Sequence, residues 1–220
     1  MRRVAGALPA GRQGSDACPI NNMGRADYLI VDSVIFNLIY NYNMPGEEFL
    51  NVEKIVGELN IAPNETIADF GAGHGFFTIA FAKRVGPSGQ VFAVDVLPTA
   101  LESIRSQAKI EGLFNIKIIW GNLEKPNGST LPAGVCDAVM IANVLFQAPD
   151  KQALLDEAKR VLKDNGRLAV IEWKPYIAVG PKKESRLSES ELKQLILSKG
   201  FSELKAVDAG THHYGFIFKK

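Results

Sequence analysis

The residues best suited to chemistry stand in one run, Ala68-Asp69-Phe70-Gly71-Ala72-Gly73-His74-Gly75, with Asp95 following 20 residues after the last glycine. Glycines at 71, 73 and 75, with only Ala72 and His74 between them, let the backbone come close to a ligand. A dinucleotide fingerprint requires G-x-G-x-x-G, because its third glycine permits close helix–strand packing and the helix N-terminus receives a pyrophosphate. Phe76 occupies that third position here. Asp69, beside the loop, would repel a pyrophosphate and attract a cation instead. Asp95, closing the next apolar run, can accept hydrogen bonds from both hydroxyls of a ribose. Each feature alone is also what a turn and a strand end require; together they point to a nucleoside-binding site.

These residues need elements to hold them. Apolar positions Phe49, Val52, Ile55, Val56 and Leu59 predict a helix over residues 47–59, and Ala62-Pro63-Asn64-Glu65 breaks it. A buried strand over 66–70 then enters the glycine loop, and Phe76, Phe77, Ile79, Ala80, Phe81 and Val85 predict the helix that leaves it. A second strand over 91–94 ends at Asp95, a second crossover helix closes at Gly112, and a third strand spans 116–120. The continuous apolar run 138–142 suits a central parallel strand. Asp150 caps a helix carrying Leu154, Leu155, Ala158, Val161 and Leu162, and the Asn165-Gly166 turn leads into a strand over 168–171. Ser188 with Glu191 is a capping-box pattern, with Gly200 as the stop. Strands near 204–207 and 214–218 follow without a helix between them, which predicts a hairpin at the sheet edge. The expectation is therefore an α/β, Rossmann-like three-layer sandwich with ligands at the carboxyl ends of its strands.

With the glycine loop, Ala93-Val94-Asp95-Val96 and the stretch from Cys136 to Pro175 on the page, the chain resembles the class I S-adenosylmethionine-dependent methyltransferases, close to their ubiquinone/menaquinone-type small-molecule members. Leu162-Lys163-Asp164-Asn165-Gly166 stands where that family usually has LKPGG. The resemblance covers about residues 49–220. It implies a seven-stranded, mostly parallel sheet with an antiparallel last strand, S-adenosyl-L-methionine as cofactor, and a small-molecule methyl acceptor. It places Asp69, Gly71, Ala72, Gly73 and Gly75 around the methionine moiety, Asp95 on the ribose, and Val96 and Leu123 against the adenine. Asn122 stands where the family commonly has an acid facing the adenine amine; its side-chain carbonyl can still accept from that amine. Ala142 and Asn143 end the fourth strand, where the resemblance puts residues bordering the methionine moiety and the acceptor. The catalytic residue is left open: methyl transfer from a sulfonium needs mainly alignment and desolvation. For a hydroxyl acceptor, Glu172, His212 and His213 are the candidate bases.

Composition narrows the rest. A net charge of +1 over 220 residues carries no global attraction to nucleic acid or an anionic membrane. An RNA or protein methyltransferase is the alternative activity, and a non-catalytic cofactor-binding scaffold the alternative class. Two distant cysteines, Cys18 and Cys136, supply neither a disulfide framework nor a metal spacing, so no metal is expected and a reducing, cytoplasmic setting fits. Residues 1–27 read as a disordered leader, with Met23 as another possible start, and residues 28–220 as one domain. Residues 29–40 are apolar but too short to span a bilayer and are expected to pack on that domain. The 174–187 segment, with Gly180-Pro181 and Lys182-Lys183, is long enough for a lid, though a solvated connection is its plainer reading.

Overall fold

The computed structural model describes residues 49–220; the leader, Cys18, Met23 and the 29–40 segment lie outside them. The chain runs α1 (Val52–Glu58), β1 (Thr66–Phe70), α2 (Phe76–Val85), β2 (Gln90–Asp95), α3 (Pro98–Glu111), β3 (Ile116–Trp120), β4 (Cys136–Ala142), α4 (Lys151–Val161), β5 (Leu162–Trp173), α5 (Glu189–Ser198), β6 (Ser202–Val207) and β7 (His213–Lys219). One sheet holds all seven strands in the order β3-β2-β1-β4-β5-β7-β6. The first five pair in parallel, and β7 lies antiparallel to both β5 and β6. The expected architecture, including the terminal hairpin, is the observed one.

Period-two alternation divides the core into two faces. Phe70, Val94, Val139, Ile141, Val170 and Phe218 face α4 and α5. Ile67, Val91, Met140, Ile171 and Ile217 face α1 and α2, while Ala93 meets Ile104 of α3. Local signals set the helix ends. The Asp150 side chain accepts from Ala153 N, and Ser188 with Glu191 forms the full reciprocal capping box. The outer strand β6 is exposed along most of its length and carries Glu203 and Lys205, charges that discourage further strand addition.

Several boundaries differ from expectation, and those at the first helix and the fifth strand bear on the site. The first helix begins at Val52, because the Asn51 side chain accepts from Lys54 N and caps it; Phe49 precedes the helix and packs against the cluster that its apolar stripe joins. The fifth strand starts at Leu162, with the Asn165-Gly166 turn absorbed as a bulge: pairing passes from Cys136↔Leu162 to Ala138↔Arg167. Glu172 and Trp173 are therefore the last residues of β5 and lie beside Tyr214 and His213 of β7. The 174–187 segment folds around Arg186, whose guanidinium donates to the carbonyls of Lys174, Ile177, Val179 and Pro181. No described helix is long and apolar enough to cross a membrane.

Candidate functional site

At the carboxyl ends of β1, β2 and β4 a cavity of about 780 Å³ opens, where the strand order reverses on either side of β1 and such sheets take their ligands. Its floor is the glycine loop. Gly71 N and Ala72 N both donate to Val94 O, at 2.8 and 3.1 Å, which folds the loop back over β2. Gly71 and Gly75 have positive φ and no room for a side chain: a Cβ would stand 2.4 Å from Val144 Cγ2 in the first case and 2.6 Å from Ile104 Cγ1 in the second. Gly73 differs, since a Cβ there would meet nothing closer than 3.9 Å. Its bare backbone borders the cavity instead.

Two carboxylates flank this loop. Asp95 Oδ2 accepts from Gly73 N and its Oδ1 from Leu97 N, both at 2.8 Å. Each oxygen keeps a lone pair, so the group is held rigidly and can still accept from a vicinal diol. Asp69 is buried and takes a 2.6 Å hydrogen bond from Thr78 Oγ1 on α2. Burial pushes its carboxyl up to about 7, with the nearby Asp95 charge adding to the effect and the Thr78 bond opposing it. A cation next to Asp69 would relieve that cost.

All ten residues singled out from the sequence come to this region, and Asp69, Gly71, Ala72, Gly73, Asp95, Val96, Asn122, Leu123 and Asn143 line the cavity itself. Gly75 lies just behind, packed on Ile104. Leu123 is buried, whereas Val96 is 46% exposed at the rim. The Asn122 Oδ1 accepts from Glu124 N at 3.0 Å, so the side chain fixes its own turn.

The opposite end of the cavity is built from Phe49, Phe76, Phe77, Asn143, Val144, Gln147 and Trp173. None of the three expected proton acceptors lines it. Glu172 is fully buried behind the wall, and its Oε1 accepts from Leu145 N at 2.8 Å and Phe146 N at 3.3 Å. It thus anchors the turn that carries Asn143, Val144 and Gln147. Burial pushes Glu172 up to about 8 against those backbone bonds. His213, 1% exposed, has its pKa pushed down to about 3 by burial. His212 precedes β7 and stacks on Phe49, with ring centroids 4.4 Å apart. Phe49 and Trp173 were not singled out as site residues from the sequence; an apolar residue beside a helical stripe and a tryptophan ending a strand look like core until the sheet brings them together.

The geometry fits a nucleoside with a cationic tail: a diol acceptor at Asp95, an open glycine backbone, and a buried carboxyl at Asp69. A family model described as a methyltransferase domain matches residues 61–210. The arsenite methyltransferase of Halobacterium salinarum is 34% identical over 111 residues, 50% of this chain and 27% of that protein. The demethylmenaquinone methyltransferase of a Geobacillus species is 30% identical over 128 residues, 58% of this chain and 53% of that protein. The chain thus spans about half, or less, of the length of these curated relatives. Among solved structures, a SAM-dependent methyltransferase from Aquifex aeolicus superposes with a TM-score of 0.72 at 27% identity, covering 78% of this chain and 90% of that one.

Proposed function

The chain belongs to the class I S-adenosylmethionine-dependent methyltransferase family, and from that premise we propose that it transfers a methyl group from S-adenosylmethionine to a small, uncharged acceptor with an apolar body. One observation carries the acceptor class: the described residues lining the cavity include Asp69, Asp95 and Glu124 but neither lysine nor arginine, and the end away from Asp95 is largely aromatic. An anionic acceptor would meet repulsion there without a counter-charge. The same absence of basic residues disfavours a nucleic-acid strand, whose phosphates are drawn in by lysine and arginine. An arsenic acceptor would call for thiolate ligands, and among the described residues the only cysteine, Cys136, is fully buried in β4 and does not line the cavity.

S-Adenosylmethionine supplies, when bound, a methyl group activated by a sulfonium centre. The chain's own residues then do three things. Asp95, braced by Gly73 N and Leu97 N, holds the ribose diol, and Asn122, Leu123 and Val96 border the adenine. Asp69 and the backbone of Gly71, Ala72 and Gly73 hold the cationic methionine end, with Gly75 closing the loop onto α3. Phe76, Phe77 and Trp173 exclude water from the acceptor, whose nucleophilic atom needs alignment and dehydration more than a strong base.

Thermal unfolding with and without S-adenosylhomocysteine tests the cofactor assignment. At 100 times its dissociation constant the ligand adds about 2.7 kcal/mol, a rise of about 5–10 °C for a chain of this size, and the rise is absent in Asp95→Ala. A well-folded protein with no shift overturns the reading.

A further inference from the structure

Behind the aromatic end of the cavity runs a chain of three groups, the Phe49 carbonyl, His213 and Asn143, whose hydrogen-bonding senses are fixed one by another. His213 Nδ1 lies 3.2 Å from the backbone carbonyl of Phe49, and His213 Nε2 lies 3.2 Å from Nδ2 of Asn143. A carbonyl only accepts, so Nδ1 carries the hydrogen. The ring is 1% exposed and kept neutral by burial, and a neutral imidazole has a single N–H. Nε2 is therefore an acceptor. The Asn143 amide must then present its NH₂ to the ring, which turns its carbonyl oxygen the other way. That oxygen is buried and without a hydrogen-bond partner among the described residues, although Asn143 lines the cavity.

We propose that His213 is a positioning residue: held in one tautomer by the Phe49 carbonyl, it orients the Asn143 amide so that the Asn143 Oδ1 accepts from an N–H or O–H donor on a bound ligand. This rests on the reading that the cavity holds cofactor and acceptor. Two further observations support it. The backbone of Asn143 is pinned in the left-handed region, φ +58, with its N–H on Ile171 O at 2.9 Å, so the amide has little freedom except rotation about its own side chain. On the other flank of the same imidazole, 4.3 Å between ring centroids, stands Trp173, whose Nε1–H is also buried and without a partner among the described residues. One orphan accepts and the other donates. The Asn143 oxygen calls for a donor, which a hydroxyl, an amine or an ammonium supplies and an ether or carboxylate does not. The donor for Asn143 can come from the methyl acceptor or from the amino group of the cofactor, and the two sources are separable.

Nitrogen-15 NMR of protein labelled in its histidine rings, at neutral pH, reads the tautomer directly. The signal that disappears in His213→Phe is expected to show a protonated Nδ1 and a bare Nε2; a proton on Nε2 overturns the proposal. Calorimetry then compares S-adenosylhomocysteine with its analogue lacking the amino group. A parallel binding series on S-adenosylhomocysteine-loaded protein compares 1-naphthol with 1-methoxynaphthalene. In one of these pairs, Asn143→Ala and His213→Phe each weaken the donor-bearing probe about tenfold and leave its donor-free counterpart unchanged; the pair that responds identifies the source. His213→Phe costs nothing further in the Asn143→Ala background, as expected when it acts only through that amide. Equal weakening within both pairs, or none, overturns the proposal. If no probe binds the unaltered protein, the function proposed for the cavity falls and takes the ligand half of this inference with it, while the tautomer measurement still decides the role of His213.

Discussion

The two ends of the cavity are built in opposite ways. The end around Asp95 comes mostly from one stretch, Asp69 to Leu97, joined by Asn122 and Leu123, and works largely through backbone: bare glycines, loop N–H groups on Val94 O, and a carboxylate braced by Gly73 N and Leu97 N. The aromatic end gathers Phe49, Asn143 and Trp173, backed by Glu172 and His213, from four distant parts of the chain and works through buried side chains. A backbone-built site tolerates little change of shape but presents polar groups that water can also satisfy. A side-chain-built site is adjustable, and every polar atom it buries must find a partner or cost stability.

The contrast breaks most visibly at Glu172. Glu172→Ala leaves Leu145 N and Phe146 N buried without an acceptor, and urea unfolding should show a loss of about 3 kcal/mol; a loss under 1 kcal/mol would mean that the turn at the aromatic end is held by other contacts. Asp95→Asn replaces one accepting oxygen by a donor at the other end. S-Adenosylhomocysteine affinity should fall about thirtyfold, about 2 kcal/mol, with a smaller change in Tm. Binding unchanged in calorimetry would remove Asp95 from the site.

The pH dependence of folding offers a third test. Glu172 is raised from 4.5 to about 8 by burial, so its contribution is fully present below pH 4.5 and is lost as pH rises towards 8. Asp69, raised to about 7, acts in the same sense over a lower window. His213, lowered from 6.5 to about 3, contributes above pH 6.5 and loses that contribution as pH falls. Between pH 7 and 8.5 Glu172 dominates, and stability should drop by about 1 kcal/mol. Glu172→Gln, which keeps an accepting oxygen, should flatten that drop; an unchanged slope in urea titrations would show that Glu172 is not its source. The smallest effect is at Asn122. Asn122→Asp keeps the acceptor for Glu124 N and adds a charge, so S-adenosylhomocysteine should bind a few-fold tighter, by about 0.5–1 kcal/mol, while a weaker complex would place the adenine elsewhere.

The same contrast explains what could be read from the chain before its structure. Asp69, the glycines and Asp95 were legible because strand, loop and helix follow one another and spacing alone sets their geometry. The sheet was legible through alternating strands and helices, and its terminal hairpin through a missing helix. His213 was not, because its role depends on β7 entering beside β5 and on Phe49 reaching across 164 positions. Glu172 gave a signal, an acid at the end of an apolar strand, but that signal suggested a base; only its full burial and its two backbone donors make it an anchor. The fifth strand is longer than its apolar run because the Asn-Gly pair, which usually ends pairing, here lies inside a bulge with Asn165 at φ +64.

The sheet order also bears on how the protein comes into being during synthesis. Among the described strands β6 pairs with β7 alone, and β7 is made after it. On the ribosome β6 therefore has no neighbour to pair with until the following strand emerges and inserts between it and β5. The segment that holds Asp69 to Leu123 can assemble well before that moment, whereas Trp173 and Asn143 must wait for His213. A nascent chain would form the glycine-loop half of the cavity first, and the half lined by Asn143 and Trp173 only when the hairpin is complete.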